Sequence, residues 1–412
     1  MNPEAIRRLD LIIGKPVCAA LTAVEAVRRR LRAHKPYTPP NRILFVKLIE
    51  MGSSVLASSA FDEGIRQVGR SNIFILLFAP NRPIIDILPH FPPENVITLR
   101  DTNLTVFALD LIGALRRIRR EKIDAAVDLE GLTRSSAIIT WLTGAPRRAG
   151  YHNFTAEGPY RGRLFTHELN YGFQHHVSKT FLALTRALAH SPKAGLLLKE
   201  EVTPRPLPLF SPTEEEVRAV REKIRILAER EPAGPLILLN PNCSDLLPLR
   251  RWPDDYFVEL GRRLLDERPD ALIILTGAPA EREGAEALAV RIDRPGRCIC
   301  LAGSTTLREV FTLYTLAQVL VTNDSGPGHF ASLTPIGEVV LFGPETPLLY
   351  GPLGARKIAV TSGLACSPCV NMLNHRFSPC REAKCMKIIT PEIVLGHVRA
   401  LLDTPAPQPT PS

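Results

Sequence analysis

The chain has 412 residues, of which 45% are hydrophobic and 6% aromatic, and its formal net charge is +9. This length allows two or three domains with cores of their own. The positive charge favours a partner with an acidic surface or a polyanionic substrate. A nucleic-acid partner is not expected, because zinc-finger and RRM signatures are missing and the aromatic residues do not lie among the basic runs.

Residues 1–40 form a basic and apolar extension that is predicted to be helical. Its apolar run, Leu9 to Ala26, is interrupted by Asp10, Lys15 and Pro16 and is too broken to span a bilayer, which needs about 20 apolar residues. A secretory signal is not expected, because the basic region is long and no small-residue cleavage site follows. An arginine cluster comes next, so the helix could lie on anionic lipid or pack on the protein's own surface.

Residues 41–205 are predicted to form a first domain. Apolar runs alternate with amphipathic stretches there, which is the pattern of a parallel sheet covered by helices on both faces. Residues 152–176 lack periodicity and are predicted to be loops. The helices are predicted near 53–68, 104–120, 133–143 and 178–190, and the strands at Ile43–Leu48, Ile73–Phe78, Val96–Leu99 and Ile123–Leu129.

A proline-rich stretch, Ser191 to Pro212, predicts a linker to a second domain of the same kind, residues 206–402. Thr213 begins a helix with three glutamates, and Thr306-Leu-Arg-Glu309 is a capping box for another. Its strands are predicted at Leu236–Asn240, Leu272–Thr276, Cys298–Leu301, Val319–Thr322 and Val339–Phe342.

The second domain is predicted to close with a helix that begins at Thr390-Pro391 and ends near Leu402. The proline-rich tail, residues 403–412, is expected to be disordered. The fold class is therefore α/β, with two Rossmann-like, doubly wound domains facing an interdomain cleft. Ligands of such sheets bind beyond the carboxyl ends of the strands.

A glycine-rich turn, Asn323-Asp-Ser-Gly-Pro-Gly-His329, follows one predicted strand of the second domain. Its glycines let the backbone approach a ligand, and the positive end of the next helix favours a phosphate. The alternative is a turn without a ligand. Four residues of the turn are candidate ligands, namely Asp324, Ser325, Gly326 and His329.

Two further loops of this domain carry polar side chains after a strand. Asn240-Pro-Asn-Cys-Ser244 precedes Arg250 and Arg251, whose guanidinium groups suit a diphosphate, although a solvated basic turn is the alternative. In the second loop, Thr276-Gly-Ala-Pro-Ala-Glu281, the carboxylate could accept ribose hydroxyls. The candidate binding residues of the two loops are Asn242, Ser244, Arg250, Arg251, Gly277 and Glu281.

The first strand-to-helix turn of the chain, Lys47-Leu-Ile-Glu-Met-Gly-Ser-Ser54, carries the candidate catalytic groups. Lys47 and Glu50 are expected to reach the cleft, Gly52 permits a tight turn, and Ser53 or Ser54 could cap the helix. Glu50 is a candidate general base, and its alternative is a loop carboxylate in a salt bridge.

In their order along the chain, these motifs resemble glycosyltransferase family 9, the family of the ADP-heptose:lipopolysaccharide heptosyltransferases. The resemblance extends from about Arg42 to Leu401 and rests on the ordered set of motifs. The matching segments are Ile43-Leu-Phe-Val-Lys47, Met51-Gly52, Asp128-Leu-Glu-Gly-Leu-Thr-Arg-Ser135, Arg251-Trp-Pro253, Gly277 to Glu281, Leu301-Ala-Gly303, Asn323 to His329, Leu341-Phe-Gly-Pro344 and Cys366-Ser-Pro-Cys369.

The resemblance implies a GT-B fold, with the nucleotide sugar bound mainly by the C-terminal domain and the acceptor by the N-terminal one. It also implies inversion at the anomeric carbon without a catalytic metal or other cofactor. By position, Asp324, Ser325 and Gly326 match the diphosphate-binding turn beside His329. Arg250 matches a residue that contacts the diphosphate, and Glu281 matches an acid near the nucleoside. Lys47 matches a basic residue of the first loop. Gly52 and Arg134 belong to motifs on the acceptor side.

Two positions depart from the family pattern. Ser53 stands where the family has the aspartate that serves as the base, and Asn240-Pro-Asn242 stands where His-Pro-Gly is common. A serine is a poor base at neutral pH. Glu50 is therefore the predicted base for a single in-line displacement, with Lys47 and Arg250 stabilising the leaving diphosphate.

The expected function is the transfer of a sugar, with a heptose from ADP-heptose as first choice, to a lipopolysaccharide core or related surface glycan. The alternatives are a nucleotide-sugar epimerase and a nucleotide-sugar-binding protein that has lost its base. The expected partners are a nucleotide-sugar donor and a lipid-linked anionic acceptor. The expected location is the cytoplasm, with peripheral contact at the inner face of the bacterial cytoplasmic membrane as the further alternative.

Four cysteines, Cys366, Cys369, Cys380 and Cys385, lie within 20 residues of sequence, with His375 between them. The spacing resembles a structural Cys₄ zinc site. Four reduced, packed thiols are the alternative, and a cytosolic location argues against disulfides. The other four cysteines show no ligand spacing and are expected to be small buried residues.

Overall fold

The computed structural model describes residues 10, 12–31, 37–131, 133–152, 160–192, 202–244, 247–372 and 376–404. The chain forms two compact units, Met1–Pro206 with Asn371–Phe377, and Leu207–Val370 with Ser378–Ser412. The short segment 371–377 thus belongs to the first unit, although the sequence analysis assigned it to the second domain. Part of the predicted tail, residues 405–412, lies outside the described residues.

The first unit contains a six-stranded parallel sheet in the order β3-β2-β1-β4-β5-β6. β1 lies at its centre and pairs with β2 and β4. The strands are β1 Ile43–Val46, β2 Ile73–Phe78, β3 Val96–Leu99, β4 Ala125–Asp128, β5 Arg147–Tyr151 and β6 His167–Leu169. The helices are α1 Gly14–Leu31, α2 Met51–Leu56, α3 Ser58–Val68, α4 Arg82–Ile87, α5 Leu104–Arg120, α6 Arg134–Leu142 and α7 Val177–Ala187.

The second unit repeats this architecture, with the strand order β12-β11-β10-β7-β8-β9. The strands are β7 Leu236–Asn240, β8 Leu272–Leu275, β9 Cys298–Cys300, β10 Val319–Asn323, β11 Gly337–Phe342 and β12 Lys357–Thr361. The helices are α8 Glu214–Ala228, α9 Asp254–Glu267, α10 Arg282–Ile292, α11 Leu307–Leu316, α12 Gly326–Ala331, α13 Pro347–Tyr350, α14 Lys384–Lys387 and α15 Pro391–Asp403.

Continuous apolar runs form the central strands of both sheets because helices cover both faces. Every residue of β1, β7 and β10 is buried. In the second unit the largest core side chain is Trp252, which is fully buried and donates from Nε1 to the Ile389 carbonyl over 2.6 Å. This bond connects the loop before α9 to the segment before α15.

Several predicted helix starts are confirmed. Thr213 and Thr306 each accept from the backbone N–H three residues later, and Glu216 and Glu309 complete the two capping boxes. Thr390 caps α15, which begins at Pro391. The predicted cap by Ser53 or Ser54 is wrong, because α2 already begins at Met51.

Three strands were not predicted, namely β5, β6 and β12. Residues 152–176 were predicted to be loops throughout, and β6 corrects this for residues 167–169. β5 begins with two arginines, and β12 is an edge strand whose residues are mostly not buried. Neither therefore shows the apolar run that marks a central strand.

The N-terminal helix packs on its own unit through one face. Gly14 lies against Arg134, where an added Cβ would come within 2.8 Å of Arg134 Cδ. Cys18 and Glu25 are buried on the same face of α1. Of the two predicted alternatives for this helix, this face therefore shows packing on the protein's own surface. Within the described residues, no helix is both long enough and apolar enough to cross a membrane.

Candidate functional site

The candidate donor site lies in the second unit, where the adjacent strands β10, β7 and β8 end. Carboxyl ends of parallel strands meet at one edge of a sheet, so the loops that follow them converge. Asn323 Nδ2 donates to the Pro241 carbonyl over 2.9 Å, and Asn240 Nδ2 donates to the Thr276 carbonyl over 3.1 Å. Two asparagine side chains thus connect the three predicted loops.

Arg250 lies between two carboxylates of this loop cluster. Its Nη1 is 3.6 Å from Asp324 Oδ2 and 3.7 Å from Glu345 Oε2. The arginine side chain is 14% exposed and the two carboxylates 4% and 3%. Its Nε is buried, and no hydrogen-bond partner for it lies in the described part of the chain. The guanidinium is therefore held by electrostatic attraction to the two carboxylates, and it has N–H groups that can still donate hydrogen bonds to an anion.

Glu345 was missed by the sequence analysis. It follows Leu341-Phe-Gly-Pro344, one of the segments that carries the family resemblance, and is the third residue after β11. Its position after a buried strand was the available signal. The carboxylate helps to hold Arg250, so we assign it to positioning of the predicted diphosphate contact.

The glycine-rich turn runs from Asn323 into α12. The Asp324 N–H donates to the Leu341 carbonyl over 3.0 Å, and Ser325 Oγ donates to the Asn323 carbonyl over 3.1 Å. A Cβ added to Gly328 would meet Val340 Cγ2 at 3.1 Å, so this glycine allows α12 to pack closely on the sheet. Gly326 and His329 are half-buried in α12.

The other predicted donor residues surround these loops. Ser244 and Arg251 are exposed, and Asn242 is half-buried with its Nδ2 3.4 Å from the Thr276 carbonyl. A Cβ added to Gly277 would lie 2.7 Å from Asn242 Nδ2, so only glycine fits there without a shift. Glu281 Oε2 accepts from the Ala278 N–H over 2.6 Å, which engages one carboxylate oxygen in its own turn.

Lys47 lies inside the first unit and does not extend from the loop. Its side chain is 2% exposed, and Nζ is 2.8 Å from Glu130 Oε1 and also donates to the Ile49 carbonyl. Glu130 Oε1 accepts from the Ile49 N–H over 3.0 Å as well. Glu130, which the sequence analysis did not single out, thus fixes both Lys47 and the loop that leads to Glu50.

Glu50 has a strained backbone and an exposed carboxylate. Its φ of 65° is left-handed, a conformation that costs a non-glycine residue about 1 kcal/mol or more. The carboxylate is 41% exposed and pairs with Arg376 of the same unit. The Glu50 carbonyl accepts from Ser53 N over 3.1 Å and from Ser53 Oγ over 2.9 Å. The Ser53 hydroxyl therefore donates its hydrogen bond within the turn. Gly52, which lies between the two residues in sequence, is buried.

Arg134, predicted on the acceptor side, is buried. Its side chain is 1% exposed; Nη1 is 3.3 Å from Asp10 Oδ2, and Nε donates to the Tyr160 carbonyl over 2.8 Å. These contacts lie within the first unit, so the structure gives this arginine a role in packing α1 and α6. Its predicted place on the acceptor side stays a prediction.

A second buried network lies beside it. Asp128, at the end of β4, accepts from Arg161 Nη2, from Ser136 Oγ over 3.0 Å and from the Glu130 N–H over 2.9 Å. Burial raises the pKa of the Asp128 carboxyl to about 6, and the charge of Arg161 opposes this rise. The network holds the segment between β4 and α6, from which Glu130 reaches Lys47.

The four cysteines of the predicted zinc site all lie in the second unit. Cys366 and Cys380 are exposed, Cys369 is half-buried with Sγ 3.4 Å from Ser378 Oγ, and Cys385 is buried. Across the described ranges, no group of three or more His, Cys, Asp or Glu side chains could hold a metal ion. His375 lies outside the described residues. The zinc hypothesis thus stays a prediction, without a ligand set in the described chain.

Two doubly wound α/β units, with polar loops after their strands, place the protein in the GT-B fold class, as predicted. The chain belongs to glycosyltransferase family 9 (heptosyltransferase), whose model matches residues 112–377. It is a glycosyltransferase, and neither the epimerase nor the binding-protein alternative is favoured. The predictions of family and fold are thereby confirmed.

Named relatives agree with this assignment. The chain is 26% identical over 333 residues to lipopolysaccharide heptosyltransferase 2 of Escherichia coli K12, an alignment that covers 78% of this chain and 89% of the relative. Identity to the Salmonella typhimurium enzyme of the same name is 29% over 328 residues, again with 78% and 89% coverage. The solved structure of E. coli ADP-heptose lps heptosyltransferase II matches with a TM-score of 0.67 and 20% identity over 88% of this chain and 98% of that one.

Proposed function

We propose that this glycosyltransferase transfers a heptose from ADP-heptose to a lipopolysaccharide core or a related lipid-linked glycan. The names of its relatives support this substrate class, since both are lipopolysaccharide heptosyltransferases. The observation that carries the proposal for donor binding is Arg250, a partly exposed guanidinium held between Asp324 and Glu345 in the loops that follow the strands of the second sheet. A guanidinium in this setting suits the diphosphate of a nucleotide sugar.

The proposed reaction is one in-line displacement. The acceptor oxygen forms a bond to the anomeric carbon as the bond to the diphosphate oxygen breaks, and the electron pair stays on the leaving nucleoside diphosphate. Arg250 and the backbone amides of the Ser325–Gly326 turn stabilise the charge that develops there. The acceptor proton passes to the Glu50 carboxylate. No catalytic metal is needed, because these groups supply both the base and the charge stabilisation.

Lys47 takes a different role in this proposal from the one that the sequence indicated. Its ammonium group is bound to Glu130 and the Ile49 carbonyl in the protein interior. We therefore propose that the Lys47–Glu130 pair positions the loop that carries Glu50. The leaving group is then stabilised by Arg250 and the glycine-rich turn, without Lys47.

The proposed location of the enzyme is the inner face of the bacterial cytoplasmic membrane, where it can reach a lipid-linked acceptor from the cytoplasm. The formal charge of +9 suits a protein that approaches an anionic membrane and an anionic acceptor. The partners are thus the nucleotide sugar, the lipid-linked glycan and the membrane surface.

The test is a transfer assay with purified protein, ADP-heptose or another nucleotide sugar, and lipopolysaccharide core acceptors, in which released nucleotide is measured with and without a chelator. Arg250→Ala should lower kcat/KM by about 10²–10³-fold, since loss of one charge-stabilising donor typically raises the barrier by about 2.7–4 kcal/mol. The control is Arg221→Ala, which removes the same charge from an exposed position of α8.

Three results would count against the proposal or one part of it. Transfer by Arg250→Ala at the parental rate would remove the basis of the diphosphate assignment. Tight binding of a nucleotide sugar without release in the presence of any acceptor would favour a binding protein instead. Loss of activity with the chelator, restored by added metal, would contradict the metal-independent step alone.

A further inference from the structure

The solvent side of the N-terminal helix carries an apolar stripe. Ile13, which directly precedes α1, and Ala20, Val24, Val27 and Leu31 of α1 follow each other at spacings of seven, four, three and four residues, so they lie along one side of the helix. All five are exposed, and the exposed fraction reaches 54% for Val27 and 81% for Leu31. We name these five residues the outer stripe. Apolar side chains aligned in this way on a helix surface mark an interaction site.

The outer stripe cannot turn inward, because the opposite face of α1 is fixed to the unit. Glu25 Oε1 is 2.7 Å from Arg148 Nη2, and Glu25 Oε2 accepts from Trp141 Nε1 over 2.9 Å. Arg29 Nη2 donates to the Phe165 carbonyl over 2.7 Å. Buried ionic and hydrogen-bond contacts therefore set the rotation of the helix about its axis, with the outer stripe towards solvent.

Charge on the solvent side of α1 has one sign. Glu25 is the one acidic residue in Gly14–Leu31, and it is buried in its pair with Arg148. Lys15, Arg28 and Arg30 are all exposed. The outer stripe is thus accompanied by cations, and no carboxylate of α1 shares its surface.

A second basic helix end lies close to the arginines of α1. The Arg28 guanidinium is 5.2 Å from the centroid of the Trp141 ring, and Arg119 Nη2 donates to the Leu142 carbonyl over 3.1 Å. The last turns of α1 and α5 therefore both contact the end of α6. Arg116, Arg119 and Arg120 of α5 are exposed, so the end of α5 adds further cations to the surface of this unit.

We propose that the outer stripe and these arginines form the surface through which the protein binds an anionic phospholipid bilayer. Apolar side chains enter the boundary between headgroups and acyl chains, and arginines pair with the phosphates. Neither contribution is strong alone, and the structure supplies both on one helix. A second copy of the chain fits less well, because it would present the same cations without an exposed carboxylate on α1. The proposal rests on the proposed function only for its biological purpose, namely access to a lipid-linked acceptor.

The experiment is vesicle co-sedimentation of the full chain, without donor or acceptor. Vesicles of phosphatidylcholine alone are compared with vesicles that also contain phosphatidylglycerol, at low and high salt. The protein should sediment with the anionic vesicles at low salt and be released by salt, which screens the arginine contacts. Val24→Asp with Val27→Asp should lower binding at least about tenfold, because it removes apolar insertion and adds negative charge.

The matched control is Ile226→Asp with Val290→Asp, which adds the same charges at apolar positions of the second unit that are 59% and 76% exposed. It should bind the vesicles like the parent. Circular dichroism and thermal unfolding check that both double variants are folded. Equal binding by the parent and the stripe variant would overturn the proposal, as would absence of parental binding to anionic vesicles.

Two further readouts separate the possible occupants and functions. If gel filtration with light scattering shows a dimer for the parent and a monomer for the stripe variant, the outer stripe is an interface between copies and the membrane proposal fails. Transfer to a water-soluble, delipidated acceptor should be equal for the parent and the stripe variant. Failure of vesicle binding would therefore leave the proposed transferase intact, and failure of transfer would leave the membrane surface intact.

Discussion

Glu50→Gln tests the proposed base most directly, since it removes the proton acceptor and keeps the size and shape of the side chain. General bases contribute about 10²–10⁴-fold to a rate, so kcat should fall at least 100-fold, equivalent to about 2.7 kcal/mol of barrier. The fold should not change, because the left-handed backbone at Glu50 is the same for glutamine. The lost charge pair with Arg376 involves side chains that are 41% and 25% exposed, and such pairs contribute about 1 kcal/mol or less.

The assay is acceptor-dependent nucleotide release at saturating donor and acceptor, with thermal unfolding of the same preparations. Arg376→Gln is the matched control, because it breaks the same ion pair from the other side and leaves the carboxylate in place. Its kcat should stay within about tenfold of the parent, since it keeps the base. Parental kcat in Glu50→Gln would show that Glu50 is not the base. Equal loss of activity in both variants would show that the ion pair, and not the base, matters.

Three other outcomes are expected. Lys47→Met should destabilise the first unit by about 3–5 kcal/mol in chemical denaturation, because it leaves Glu130 charged and buried, and adding Glu130→Leu should recover most of the loss. Burial raises the pKa of the Glu338 carboxyl from 4.5 to about 8. The folded protein therefore binds this proton more tightly than the unfolded chain does, so its stability should fall as pH rises from about 4.5 to 8. The Tm measured across this range should fall less in Glu338→Gln than in the parent. A thiol reagent should modify exposed Cys366 and Cys380 before Cys385, because burial raises the pKa of the Cys385 thiol. Mass spectrometry after brief labelling measures this order, and earlier modification of Cys385 would contradict the prediction.

Strand prediction from the sequence succeeded where a strand is a short, mainly apolar run. β2, β3 and β7 have the predicted bounds, and each is a run of mainly apolar residues. β5 escaped prediction because Arg148 is charged and yet buried. Its partner is Glu25, which lies 123 residues away in α1. A local pattern cannot indicate that a distant helix will neutralise a charge in a strand.

The same limit applied to the candidate site. The loops after β7, β8 and β10 were predicted, because a polar or glycine-rich segment after an apolar run is visible in a short window of sequence. Glu130 and Arg376 were not, since they meet Lys47 and Glu50 across 83 and 326 residues of chain. The contacts of buried Arg134 were hidden in the same way, since Asp10 and Tyr160 lie 124 and 26 residues away in sequence.

Two local irregularities coincide in the loop after β1, and together they bear on the missing aspartate at position 53. Ser53 donates its hydroxyl proton to the Glu50 carbonyl, so it is not arranged to accept a proton. Glu50 adopts a left-handed φ that glycine would adopt without strain. A loop residue retained only for solubility would have no reason to be a glutamate there. Strain of this kind persists where surrounding structure enforces it, often at functional sites, and here the Lys47–Glu130 pair fixes the preceding residues. These observations support the proposal that the loop presents the Glu50 carboxylate three residues before Ser53, the position at which the resemblance implies an aspartate.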